Sequence, residues 1–439
     1  LSSFGRHSLF EWGGCTFLGG ETMEKFIVTG EVQLQGNLRI GGAKNATLPI
    51  MAASLLCSGV SVIHDVPFIR DINAMQDILI LLGAKIQREG NTLIIDTTNV
   101  SKAEIPEHLM REMRASVFLM GPLLGRFKKV RLSYPGGCDI GPRPIDLHIK
   151  ALEKIGAKIS ERFGFIVAEA TQLTGGDIHF DFPSVGATEN AVMAAVLANG
   201  VTIIRNAARE PEISDLQTFL NKMGAKISGA GTDTIRIEGV NKLYPTEHTI
   251  IPDRIQAGTF LIAGAMTQGD VTIENIRPEY LFSVLDKLEE IGANIETGIN
   301  YVRVKAGDLR GVDIKTLPHP GFPTDLQAPI LSLLTIAKGT SVITETIFEN
   351  RFKHVDELSR MGAKVKVEGR TAIIRGIPKL TGACVAAPDL RAGGALVLAA
   401  LAAEGITEIE AVHHIDRGYE KFEEKLQSLG ANIIRHGSG

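Results

Sequence analysis

With 439 residues the chain is too long for one hydrophobic core, so two large domains or several small ones are expected. A hydrophobic share of 44%, a charged share of 22% and a net charge of −4 fit a soluble globular protein with no general attraction to nucleic acid or anionic membrane. Four cysteines without CxxC spacing exclude a disulfide framework and argue against a zinc site, and no apolar run reaches the roughly 18 residues of a membrane span, so a cytoplasmic location is expected.

Residues 1–22 show no alternating pattern and lack the positive-then-apolar layout of a secretion signal, so they read as a leader or appended remnant, with Met23 as the natural start. From there the chain repeats. The string Gly-Ala-(Lys/Asn)-(Ile/Val) begins at Gly83, Gly156, Gly224, Gly292, Gly362 and Gly430, a spacing of about 70 residues. Before each string runs an amphipathic charged stretch, such as Asp146-Leu-His-Ile-Lys-Ala-Leu-Glu-Lys-Ile155, and after it come β-type segments such as Thr92-Leu-Ile-Ile-Asp96. The glycine is then a helix end in the left-handed conformation that turns helix into strand.

Each unit has a second helix, rich in Ala and Leu, beginning near Lys44, Arg111, Ser184, Asp253, Thr324 and Asp389. A helix apolar on nearly every side is buried on nearly every side. These six are therefore expected inside and the charged six outside. Six units divide as three plus three around the buried helices, with a boundary near residues 244–253, where Pro245 and Pro252 bracket a weakly patterned stretch. The N-termini of the buried helices carry unsatisfied N–H groups and partial positive charge, a natural seat for anions. If both halves aim these ends at one cleft, it receives a ring of cations and a few carboxylates. Mutual repulsion of those cations is expected to hold the cleft open until anions bridge it.

The segment Tyr134-Pro-Gly-Gly-Cys138-Asp-Ile-Gly-Pro-Arg143-Pro-Ile-Asp146 places a cysteine between glycine hinges and stiffening prolines, as an active-site lid requires. A free thiol with a pKa of about 8.5 is mostly protonated at neutral pH and can donate a proton. On these residues alone, an ordinary cysteine on a surface turn is the other reading. Cys57 and Cys384 sit among apolar residues and read as core.

Over residues 23–435 the chain resembles the UDP-N-acetylglucosamine 1-carboxyvinyltransferase family of enolpyruvyl transferases. The likeness rests on Gly41-Gly-Ala-Lys-Asn-Ala46, Met113-Arg-Ala-Ser116, Pro135-Gly-Gly-Cys-Asp-Ile-Gly-Pro-Arg-Pro144, Ser184-Val-Gly-Ala-Thr188, Phe322-Pro-Thr-Asp-Leu-Gln327, Glu349-Asn-Arg-Phe352, Asp389-Leu-Arg-Ala392 and His414-Ile-Asp-Arg-Gly-Tyr419. It implies an α/β fold, a two-domain inside-out α/β barrel of six repeats, with residues 44–251 in the first domain and residues 23–43 plus 252–437 in the second. It also implies transfer of the enolpyruvyl group of phosphoenolpyruvate to the 3′-hydroxyl of UDP-N-acetylglucosamine with release of phosphate, without cofactor or metal and with no nucleic-acid or membrane partner.

By the same resemblance, Cys138 is the acid that protonates C3 of the enol and the thiol that epoxides of the fosfomycin kind alkylate. Lys44, Asn45, Arg143 and Arg417 hold phosphoenolpyruvate. Asp325 orients the sugar hydroxyl or accepts its proton, joining Cys138, Lys44 and Arg417 as catalytic. Asn45, Arg114, Arg143, Pro144, Ile145, Asp146, Leu147, Ser184, Val185, Gly186, Asp325 and Ile347 contact the UDP-sugar, and Arg351, Asp389, Leu390 and Arg391 surround the cleft. Asp325 and Asp389 sit where they could also cap buried helices, and His148, His354 and His414 read as structural. Phe182 stands where some relatives carry Lys, so one basic nucleotide contact is in question. Two other readings remain: the related transferase acting on shikimate 3-phosphate, which lacks the Gly-Gly-Cys segment, and a DNA sliding clamp, which would need cations along its inner helices rather than at their ends.

Overall fold

A computed structural model describes residues 24–134, 136 and 145–437. The expectations for residues 1–22, and for Cys138, Arg143 and Pro144, fall outside the described residues. Among the described residues there are six four-stranded sheets, all built alike. In one of them Glu247–Thr249 pairs parallel to Val60–His64, which pairs antiparallel to Thr92–Asp96, itself antiparallel to Lys85–Glu89. The strand that leaves each Gly-Ala string forms the far edge, as at Lys85–Glu89 and Lys364–Glu368. Two N-terminal strands lie far from their sequence neighbours. Lys25–Thr29 pairs with Ile406–Glu410 and Asn432–His436, and Gln35–Arg39 pairs parallel to Asp270–Glu274.

Buried apolar side chains form two clusters. One holds residues from Ala43 to Ile250, and the other joins Phe26–Ile40 residues to those from Ile255 to Ile433. The Ala-rich helices lie inside them, as their composition requires: all thirteen residues of Arg254–Met266 are buried, as are twelve of thirteen in Leu390–Ala402. The charged helices bury one stripe only, such as Val284, Leu285, Leu288 and Ile291 of Phe282–Ile291.

Two of the six inner helices start differently from expectation. Near Arg111 the chain makes a short helix, Glu107–Glu112, then a 3₁₀ segment, Arg114–Leu119, and only then the α-helix Met120–Phe127. Likewise the 3₁₀ turn Thr324–Leu326 precedes Gln327–Leu334. Each of these α-helices carries a proline, Pro122 or Pro329, at its third position. Proline has no N–H to extend an α ladder backwards but is tolerated in a first turn. Cys57 is buried as expected, but Cys384 is exposed. Its apolar neighbours misled: in the strand Cys384–Ala386 successive side chains alternate faces, and Val385 takes the inward one.

All six string glycines have φ between +92° and +111°, the left-handed region. Gly292 and Gly362 differ in surroundings. A Cβ on Gly292 would stand 2.5 Å from the Asp308 carbonyl oxygen, whereas on Gly362 it would meet only Thr381 Oγ1 at 3.9 Å. Gly362→Ala is therefore expected to lose about 1–2 kcal/mol from the left-handed backbone alone. Gly292→Ala should lose more, read as the difference in denaturant midpoints at equal slope. Equal losses would show that the contact relaxes without cost.

Candidate active site

The N-terminal ends of inner helices from both clusters open on one cleft of about 470 Å³. Lys44 and Asn45 begin Lys44–Ala53, and Ser184, Val185 and Gly186 begin the helix Val185–Ala195, where the Ser184 hydroxyl accepts from Ala187 N–H. Asp146 and Leu147 open the helix Asp146–Lys154. From the other cluster come Asp325, Ile347, Arg351, Leu390, Arg391 and Arg417, and Arg114 completes the lining among the expected residues. Ile145 and Asp389 are both buried, and neither lines the cleft. Asp389 instead caps Leu390–Ala402, accepting from the N–H groups of Arg391 and Ala392 at 2.8 and 3.0 Å. Asp325 caps no helix, contrary to the dual role expected of it, because both its oxygens are taken by cations.

Asp325 lies between two arginines. One oxygen accepts from Arg351, and the other from Arg391 Nη2 at 3.0 Å. Burial alone would raise its carboxyl. Arg391 and Arg351, with Lys44 beyond them, hold it well below the ordinary carboxylate range. The turn bearing Asp325 is itself fixed by Glu345, a buried carboxylate. Glu345 accepts from the hydroxyls of Thr316 and Thr324 at 2.8 and 2.9 Å and from the Ile347 N–H at 2.7 Å. One buried acid thereby positions both Ile347 and the start of the Asp325 turn.

A second carboxylate with two cations was not anticipated. Asp71 accepts from Lys44 Nζ at 2.8 Å and from Arg417 Nε at 3.0 Å. A third pair, Glu212 with Arg254, is almost fully buried at 3.0 Å, and Glu212 holds the guanidinium charged against its desolvation. The lining thus includes Lys44, Arg114, Arg254, Arg351, Arg391 and Arg417, together with Asp71, Asp146, Glu189, Glu210, Glu212 and Asp325. Carboxylates equal cations among these described residues, where a ring of cations with few acids was expected. Lys44, Arg254, Arg351, Arg391 and Arg417 each have a carboxylate beside them, which offsets the mutual repulsion expected of the cations.

Other lining residues were also missed. His319 lines the cleft with its imidazole pushed down to about 4 by burial and by nearby Arg254. His148 is buried but also borders the cleft, and its Nδ1 faces Asn190 Nδ2 at 2.8 Å. Sequence offers no pattern that selects Asp71, Glu189 or Glu212 from among 50 acids. Only the Glu-Pro-Glu spacing of Glu210 and Glu212 at a helix start marks them, and that spacing is equally a helix N-terminus.

Glu189 is fully buried, and neither carboxyl oxygen has a hydrogen-bond partner among the described residues. Burial, with like charge from Glu212 and Glu210, pushes its carboxyl well above the ordinary value. A carboxyl raised on folding stabilises fully below its unfolded pKa of about 4.3, and that contribution is lost as pH rises. Glu189→Gln is therefore expected to raise the melting temperature more at pH 8 than at pH 5. A gain independent of pH would mean that Glu189 is not the charged liability.

Comparison with known proteins agrees with this architecture. The family model described as EPSP synthase (3-phosphoshikimate 1-carboxyvinyltransferase) matches residues 28–426. The enolpyruvyl transferase NikO from Streptomyces tendae superposes with a TM-score of 0.86 at 26% identity, covering 95% of this chain and all of that one. EPSP synthase from Acinetobacter baumannii shares the fold, with a TM-score of 0.73 at 18% identity over 94% of this chain and all of that one. The fold is thus that of the enolpyruvyl transferases, the six-unit α/β architecture that the repeats foretell.

Two full-length relatives narrow the class. UDP-N-acetylglucosamine 1-carboxyvinyltransferase 1 of Symbiobacterium thermophilum is 57% identical over 94% of this chain and 95% of its own length. UDP-N-acetylglucosamine 1-carboxyvinyltransferase 2 of Caldanaerobacter subterraneus subsp. tengcongensis is 55% identical over 94% of this chain and all of its own. The chain belongs to the UDP-N-acetylglucosamine 1-carboxyvinyltransferase family.

Proposed function

We propose that this chain transfers the enolpyruvyl group of phosphoenolpyruvate to the 3′-hydroxyl of UDP-N-acetylglucosamine and releases phosphate, the first committed step of peptidoglycan synthesis. The 55–57% identity to enzymes of that name over nearly their whole length carries the reading. The reaction is addition followed by elimination: C3 of the enol gains a proton while the sugar oxygen attacks C2, then C3 loses a proton as phosphate leaves. It needs an acid, a group at the sugar hydroxyl and strong anion binding.

In this reading Cys138 supplies the proton. Lys44 and Arg417, set on either side of Asp71, seat the phosphate and carboxylate of phosphoenolpyruvate together with Arg143 and Asn45. Arginine suits such oxyanions because its guanidinium donates paired hydrogen bonds. Arg114, Asp146, Leu147 and the Ser184 helix start receive the UDP portion, joined by Pro144. The location is cytoplasmic; among the described residues no helix is long and apolar enough to cross a membrane. The two hydrophobic clusters act as two domains, residues 44–251 and residues 23–43 with 252–437, that bring the substrates together between them.

Asp325 has a constrained role. A carboxylate held below its ordinary range by two arginines is a weak base, since the best proton acceptor titrates near the working pH. While both pairs last, its contribution is to align and polarise the sugar hydroxyl, and it becomes a base only when one arginine turns to substrate. Asp325→Asn should lower kcat by about 10²-fold or more, with the KM for UDP-N-acetylglucosamine changed far less. A variant turning over at the wild-type rate would remove Asp325 from the chemistry.

Phosphate release from phosphoenolpyruvate should require UDP-N-acetylglucosamine and should not occur with shikimate 3-phosphate. A wild-type protein active only with the latter would overturn the assignment. Cys138→Asp should keep measurable turnover, because a carboxyl group can carry the same proton, yet resist epoxides of the fosfomycin kind. Continued inactivation of that variant would place the alkylated nucleophile elsewhere.

A further inference from the structure

Asp71 stands in the first turn of the helix Arg70–Leu82 and is only 4% exposed, yet it borders the cleft. Its two oxygens go to different cations: Oδ2 accepts from Lys44 Nζ at 2.8 Å and Oδ1 from Arg417 Nε at 3.0 Å. Lys44 and Asp71 lie among residues of the first hydrophobic cluster. Arg417 ends the 3₁₀ segment Val412–Arg417, whose Val412 and Ile415 belong to the second. The same joint has another link, since Glu420 Oε1 accepts the Phe68 N–H at 2.8 Å.

We propose that Asp71 is a positioning residue for phosphoenolpyruvate, fixing Lys44 and Arg417 as the two arms of one oxyanion seat that spans both clusters. The inference rests on the reading of Lys44 and Arg417 as the cations that hold this substrate. Three physical points support it. A lysine ammonium on a four-carbon stem has many rotamers, and an anchor that selects one before binding spares the substrate that entropy. Two cations brought together without a counter-charge would drive each other apart, and one carboxylate between them prevents that while leaving the trio net positive. The N-terminus of Lys44–Ala53 adds partial positive charge, partly offset by Asp253, whose Oδ2 accepts the Lys44 backbone N–H at 3.2 Å.

Removing the Asp71 charge takes one negative group away from an anion site, but it also frees the lysine stem and lets the cations separate. Placement governs the outcome, because the hydrogen bonds that Lys44 and Arg417 give to phosphate and carboxylate depend steeply on donor–acceptor distance and angle.

The test is steady-state kinetics of full-length Asp71→Asn with phosphoenolpyruvate and UDP-N-acetylglucosamine, alongside thermal unfolding. The expected result is a KM for phosphoenolpyruvate raised at least tenfold while that for the UDP-sugar stays within twofold. Should Asp71→Asn lose its cooperative unfolding transition, Asp71→Glu replaces it: the longer arm keeps the charge but displaces both cations, and the same selective rise is expected. An unchanged or lowered KM for phosphoenolpyruvate, or an equal rise in both constants, overturns the inference while the functional reading stands. A wild type without turnover overturns the functional reading and the inference with it.

Discussion

A helix that is apolar on every side has to be buried on every side, and that one constraint organises the molecule. Six such helices occupy the interior, so their polar ends cannot face solvent at random. The N-termini of several, at Lys44, Ser184, Thr324 and Asp389, gather around one cleft or directly behind its wall. The positive ends of the helix dipoles then favour anions at the cleft, although the side chains of Ser184, Asp389 and Asp253 already take some of the leading N–H groups. The outer, charged helices pack against the sheets and supply little to the cleft beyond Asp71, Asp146, Leu147, His148 and Glu212.

Cations in such a place create a second constraint. A buried or half-buried guanidinium without a partner costs several kcal/mol, so the fold supplies carboxylates. Asp325 serves Arg351 and Arg391, Asp71 serves Lys44 and Arg417, and Glu212 serves Arg254. Two of these arrangements join groups from the two hydrophobic clusters, Asp71 with Arg417 and Glu212 with Arg254. The carboxylates therefore do more than neutralise: they hold the halves of the cleft in register and keep its cations pointed before a substrate arrives. The cost is a carboxyl at position 325 that is a poor base while both arginines hold it.

Much of this was legible in the chain because it is written in spacing. Glycine is the residue that a left-handed helix end favours, so six glycines at a period of about 70 residues mark six units, and all six have that conformation. The inner helices were visible for a similar reason, since a stretch such as Ala395 to Ala403 has no face that prefers water. The expected site residues were less uniform in fate. Lys44, Asn45, Arg114, Ser184, Asp325, Arg391 and Arg417 meet at the cleft, whereas Asp389 is spent on a helix cap and Ile145 lies behind the wall. Pairing across the fold was not legible. Nothing local to Asp71 announces Arg417, which is 346 residues away, and nothing near Glu189 announces its burial. Cys384 shows the opposite failure, where composition pointed inward and strand alternation pointed outward.

Charge held by paired arginines and lysines serves, above all, to move an enolpyruvyl group onto a sugar hydroxyl. Mass spectrometry of UDP-N-acetylglucosamine after incubation with the protein and phosphoenolpyruvate tests it most directly. The expected product is a UDP-sugar heavier by one enolpyruvyl group, formed in equal amount to the phosphate released. Phosphate released beside an unmodified UDP-sugar, or no reaction at all, would contradict it.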